Sequence, residues 1–143
     1  MEMLFESYIA TLLRKKLNTS QYSISTQDRH YHLFDEPRKE FLIKPDIVVT
    51  RNSDNRLFIM DTKWKILSDT KPNYGISQAD MYQMYAYQKK YQAQHVTLIY
   101  PKTDKVSGNK DIFFQSEDGV RVHLRFIDLF DVSNSMDTLV TYF

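Results

Sequence analysis

Apolar residues recur at helical spacing near the start of the chain, where Leu4, Phe5, Tyr8, Ile9, Leu12, Leu13 and Leu17 fall on one stripe. This spacing predicts an amphipathic helix over residues 3–17. Arg14, Lys15 and Lys16 occupy its last turn, where positive charge suits the helix dipole. From 22 to 33 the pattern alternates in short pieces, consistent with one or two strands, and a charged loop follows at 35–40. Two strong strand patterns come next, at 41–51 and 56–65. The turn formers Asn52, Ser53, Asp54 and Asn55 separate them. A loop with Pro72, Asn73 and Gly75 leads to a second helix at 78–92, with Ser77 as N-cap and Asp80 completing a capping-box pattern. On that helix Met81, Met84 and Tyr85 share one face, and Asp80, Gln83, Tyr87 and Tyr91 another. Residues 95–100 read as a buried strand ending at Pro101. Residues 111–116 and 120–127 form a hairpin around Glu117, Asp118 and Gly119, and the tail beyond carries no readable pattern. The order predicts an α/β fold with a mixed central sheet flanked by helices.

Composition narrows the chemistry. At 143 residues, 42% hydrophobic and 26% charged, the chain fits one globular domain over 1–143. It has no cysteine, which excludes disulfides, thiol catalysis and cysteine-based metal sites. The four histidines, at 30, 32, 95 and 123, form no ligand pattern beyond the pair His30 and His32, which reads as exposed strand. No apolar run approaches the roughly 20 residues of a membrane-spanning helix. The first residues lack a signal-peptide layout, so the cytoplasm is the expected compartment. Net charge is +1, but residues 1–110 hold 17 basic and 12 acidic side chains against two and six in 111–143. That mild positive bias is compatible with contact to phosphates.

The chemistry concentrates where Lys44, Pro45 and Asp46 precede one strand pattern and Asp61, Thr62, Lys63, Trp64 and Lys65 close the next. A four-residue turn makes the two strands antiparallel neighbours. With Arg51 opposite Arg56, Asp46 falls opposite Asp61 and Lys44 opposite Lys63. Asp61, Lys63 and Lys65 share a face, because side chains alternate along a strand. Directly opposed carboxylates repel. A divalent cation relieves that repulsion, and Mg²⁺ commonly takes one or two carboxylates while water and phosphate complete its shell. Lys63 beside it would hold the attacking water or the scissile phosphate, as metal-assisted phosphodiester hydrolysis requires. Glu6, at the margin of the first helix's stripe, is a candidate third carboxylate. Gln83 and Tyr87, one turn apart, can reach a common neighbour.

These residues resemble a known family. Pro45–Asp46 followed by Asp61–Thr62–Lys63 is similar to the PD-(D/E)XK nuclease signature, and Gln83 with Tyr87 is similar to the Gln-x-x-x-Tyr element of its RecB-like branch. Together with Leu4–Phe5–Glu6, Lys44, Trp64–Lys65 and the run from Ile76 to Tyr87, they resemble the nuclease domain of McrC proteins, the endonuclease subunits of McrBC modification-dependent restriction systems. The resemblance implies a restriction-endonuclease-like core. It implies Mg²⁺, replaceable by Mn²⁺, on Asp46, Asp61, Glu6 and the Thr62 backbone carbonyl, with Asp46, Asp61 and Lys63 catalytic. Gln83, Tyr87 and Lys65 would support DNA or the site. The implied partners are DNA and an McrB-like GTPase ring. McrC proteins carry a sizeable N-terminal region that engages the ring, whereas the helix bearing Glu6 begins almost at Met1, so the chain reads as a fragment or truncated homologue.

Three functions compete: a Mg²⁺-dependent DNA endonuclease of a 5-methylcytosine-type restriction system, a RecB-like repair exonuclease with the same motifs, and a non-catalytic DNA-binding or assembly module.

Overall fold

The computed structural model describes residues 1–106 and 111–143. Its centre is a six-stranded mixed sheet in the order β1-β4-β5-β6-β8-β7. The strands are β1 (Tyr22–Thr26), β4 (Ile47–Arg51), β5 (Arg56–Thr62), β6 (His95–Pro101), β7 (Ile112–Gln115) and β8 (Arg121–Ile127). β5, β6 and β8 run parallel, and the remaining pairs are antiparallel. Strands covered on both faces should read as near-continuous apolar runs, and Val96 to Tyr100 of β6 are all buried. A separate ribbon pairs β2 (His32–Phe34) with β3 (Glu40–Leu42).

Alternation divides the sheet between two helical layers. Ile47, Val49, Phe58, Met60, Ile99 and Ile127 pack against α1 (Glu2–Lys16) and α3 (Val132–Val140). Val48, Ile59, Val96, Leu98, Val122 and Leu124 pack against α2 (Gln78–Tyr91). Asp46 and Asp61 therefore share the parity of Val48 and Ile59 and belong to the α2 side.

The first two helices and the β4–β5 register follow the sequence expectation: Arg51 opposes Arg56 and Ile47 opposes Met60. Several details differ. The strand expected at 41–51 is broken into β3 and β4: Phe41 takes a left-handed backbone (φ 60), and Pro45 has no N–H to donate. The strand expected to reach Lys65 stops at Thr62. The Lys63 N–H still donates to the Ile99 carbonyl at 2.9 Å, but the next rung would need an N–H from Pro101. On α2 the buried residues are Met84, Tyr87 and Tyr91, so Tyr87 and Tyr91 belong with Met84 and not with a polar face, while Tyr85 is exposed. α3 was not expected at all. It buries Met136 and Leu139 and is tied to α1 by Lys16 and Asp137 at 2.6 Å. On α1 itself, Leu4 and Tyr8 leave the expected stripe and are 63% and 43% exposed.

Ser77 caps α2, its hydroxyl accepting the Asp80 N–H at 3.2 Å. The Asp80 carboxylate does not close a capping box; it turns to Lys65 and Lys63. Ser77→Ala should cost about 1 kcal/mol in urea unfolding. A loss near zero would mean that the lysines, not the cap, fix the start of α2.

Candidate active site

The site forms where the chain enters β4 and leaves β5. Antiparallel pairing carries the register one step beyond Ile47 and Met60, bringing Asp46 alongside Asp61. The two acids then interlock through the backbone. The Asp46 N–H donates to Asp61 Oδ1 at 2.9 Å, and the Thr62 N–H donates to Asp46 Oδ2 at 2.9 Å. The Thr62 hydroxyl also donates to Asp46 Oδ2, at 3.2 Å. These donors relieve part of the repulsion that the sequence argument left to a cation alone.

The remaining groups converge from three directions. Lys63 Nζ lies 3.4 Å from Asp61 Oδ2 and 3.5 Å from Asp80 Oδ1, and it donates to Gln83 Oε1 at 3.2 Å. Lys65, more exposed, pairs with Asp80 at 2.9 Å. Glu6 reaches the cluster from α1, joined to it by Gln27, whose Nε2 donates to Glu6 and, at 3.1 Å, to Asp46 Oδ1. Tyr87 lies under the cluster with its hydroxyl enclosed beside Gln83, and the enclosed hydroxyl of Tyr100 has no hydrogen-bond partner among the described residues. Asp46, Asp61, Thr62, Lys63, Lys65, Gln83, Tyr87 and Glu6 are thus all brought to one end of the sheet. Asp80, Gln27 and Tyr100 were missed as site residues. Asp80 was absorbed into a helix-cap pattern, and Gln27 lies in a segment without a clear period. Tyr100 reads simply as core.

Electrostatics follow from burial. Asp61 is 2% exposed. Burial, reinforced by the Asp46 charge, pushes its pKa up to about 7, against the pull of the Asp46 N–H and of Lys63. Glu6 is raised by burial and by Asp46. Burial opposes the Lys63 charge, but Asp61, Asp80 and Asp46 outweigh it and hold the ammonium above its ordinary value. Lys63 is therefore a fixed cation at neutral pH, not a neutral base. The phenol of Tyr87 is raised by burial, with Asp61 and Asp46 adding to the shift.

Among the described residues no closed set of three or more acidic or imidazole ligands is preformed. A hard cation such as Mg²⁺ does not require one, because it keeps water and substrate oxygens in its shell. The donor chemistry fits such an ion. Two interlocked carboxylates, one of them costly to ionise without a cation, sit near the enclosed hydroxyls of Tyr87 and Tyr100, the latter without a partner among the described residues. Asp46 and Asp61 would hold the ion, with Glu6 and the Thr62 carbonyl in reserve.

The model of the family described as "McrBC 5-methylcytosine restriction system component" matches residues 1–101, more than half of the chain. The chain belongs to that family. Its fold agrees: the whole chain superposes on a chain from the Thermococcus gammatolerans assembly of McrB AAA+ hexamers with bound McrC, with a TM-score of 0.75 and 19% identity. The match covers all of this chain and 33% of the other. No curated protein matches the sequence. This McrC-like domain has the restriction-endonuclease-like architecture of a mixed sheet between helices. Among the described residues no helix is long and apolar enough to cross a membrane.

The raised Asp61 carboxyl predicts a pH effect on stability. A carboxyl whose folded pKa lies above its ordinary 3.8 contributes stability below that value and loses it as pH rises through about 7. In EDTA, Asp61→Asn keeps the acceptor for the Asp46 N–H but removes this loss. The variant's melting temperature relative to wild type should therefore climb between pH 4 and pH 8, while Lys63 stays charged throughout. Parallel melting curves for the two proteins would contradict the burial argument.

Proposed function

We propose that this domain hydrolyses DNA phosphodiester bonds as the Mg²⁺-dependent endonuclease of a 5-methylcytosine-type restriction system. It is read as a PD-(D/E)XK enzyme of the cytoplasm in which Mn²⁺ substitutes for Mg²⁺. One observation carries the reading: a buried Asp46–Asp61 pair, interlocked at the sheet end, with the Lys63 ammonium 3.4 Å from Asp61. Such an arrangement costs stability in the absence of a ligand, and groups of this kind concentrate at functional sites.

In this reading Asp46 and Asp61 hold the cation, assisted by Glu6 and the Thr62 carbonyl. The cation, when bound, makes water nucleophilic and offsets charge on the phosphate. Lys63 orients the attacking water or binds the scissile phosphate, as its fixed charge allows. Asp80 and Gln83 keep its ammonium from folding back onto Asp61 alone. Lys65, about half exposed, reaches a neighbouring DNA phosphate once released from Asp80. Tyr87 supports the floor of the site with its enclosed hydroxyl beside Gln83. The chain spans 33% of the McrBC-assembly chain it matches. Target selection and coupling to an McrB-like GTPase ring would accordingly rest on segments and partners beyond this domain.

The test is cleavage of supercoiled plasmid with Mg²⁺ or Mn²⁺, beside end-labelled linear DNA, with an McrB-type ring and GTP added in parallel. Wild type should nick or linearise the closed circle. Asp61→Ala and Lys63→Ala should each lower the rate at least about 100-fold, the scale of a lost transition-state group, while circular dichroism stays native. Degradation of linear ends only would favour the exonuclease. DNA binding without cutting under every condition would favour the non-catalytic module.

A further inference from the structure

Gln27 is the residue that joins two layers of the fold at the site. It follows β1, whose last paired residue Thr26 opposes Ile47, and its N–H donates to the Asp46 carbonyl at 3.0 Å. Its backbone is left-handed (φ 52), an unfavourable conformation for a residue with a Cβ. Strain of this kind persists when the surroundings fix it, and it clusters at functional sites. Here the fixing is visible on both sides. The Asp46 carbonyl holds one side, and the next residue, buried Asp28, accepts the Tyr91 hydroxyl of α2 at 2.5 Å.

The left-handed turn brings the side-chain amide between two carboxylates of different origin. Asp46 leads into β4, whereas Glu6 comes from α1, which packs on the opposite face of the sheet. Without a donor between them the two acids repel, and Glu6, on a partly exposed helix position, would turn to water. One –NH₂ group supplies two N–H donors, one for each acid.

We propose that Gln27 is the positioning residue of the cation site: its amide draws Glu6 across to Asp46 and so recruits Glu6 as the third carboxylate. This rests on the reading of Asp46 and Asp61 as cation ligands. It assigns Gln27 no contact with the ion or with DNA. Its effect on the ion is exerted through Glu6, in the way that outer partners fix the orientation of metal-binding side chains.

The experiment is Mn²⁺ titration of the whole 143-residue chain by calorimetry and electron paramagnetic resonance, without DNA. Gln27→Gly removes the amide and suits the left-handed backbone, so folding is not compromised. It should weaken Mn²⁺ binding about 10-fold, the lower range for loss of an outer partner. Glu6→Ala should weaken binding similarly, and the double variant no further, because both act on one carboxylate. Gln27→Lys places a cation among the acids. It should raise the melting temperature in EDTA and suppress Mn²⁺ binding, opposite signs that a merely structural glutamine would not produce. Wild-type affinity in Gln27→Gly, or additive losses in the double variant, would overturn the proposal while leaving the cation site standing. Failure of the wild type itself to bind Mn²⁺ would remove both.

Discussion

Two backbone N–H groups govern the end of the sheet that carries the candidate site. Those of Asp46 and Thr62 each donate to the carboxylate of the facing strand, at 2.9 Å. The exchange replaces the next rung of the β4–β5 ladder with a side-chain version of it. The carboxylates are consequently fixed by the same register that pairs Ile47 with Met60, and they have little freedom to separate. A pair of acids on flexible loops would relax apart and ionise normally. Here the backbone holds them together, so the cost of their charge is stored in the fold.

α2 contributes to that stored cost in two ways. Its buried face, Met84, Tyr87 and Tyr91, covers the sheet beneath the acids and keeps Asp61 from water. Its first turns carry Asp80 and Gln83, which hold the Lys63 ammonium. The helix therefore both raises the Asp61 carboxyl and keeps the neighbouring lysine charged. Opposite effects on two adjacent groups come from one element, because its apolar and polar faces meet at the site.

Much of this was legible in the sequence where local pattern and tertiary requirement agree. The four-residue turn at Asn52 to Asn55 and the apolar strands on either side determine a register, and from it the pairing of Asp46 with Asp61 follows. Ser77 announces the start of α2 in the same way. What stayed hidden depends on contacts between distant segments. Nothing near Gln27 in the sequence signals that its backbone turns left-handed toward α1. Nothing near Asp80 indicates that its carboxylate prefers two lysines on β5's exit to the N-terminus of its own helix. α3 is stabilised by packing on α1 and β8, and its own polar start, Ser133 to Ser135, conceals it. The break between β3 and β4 and the early end of β5 were readable in principle, since Pro45 and Pro101 each remove a ladder donor, but only once the neighbouring strand was known.

The placement of β8 has a consequence for how the domain can be divided. The family match ends at residue 101, at the last residue of β6, yet β8 lies beside β6 and β7 lies outside β8. A chain cut at that boundary would leave β6 with one flank bare: a run of buried apolar residues with unmet hydrogen bonds, a template for intermolecular strand addition. The stretch after residue 101 thus covers the flank of β6 with β8 and moves the sheet edge outward to the four-residue strand β7.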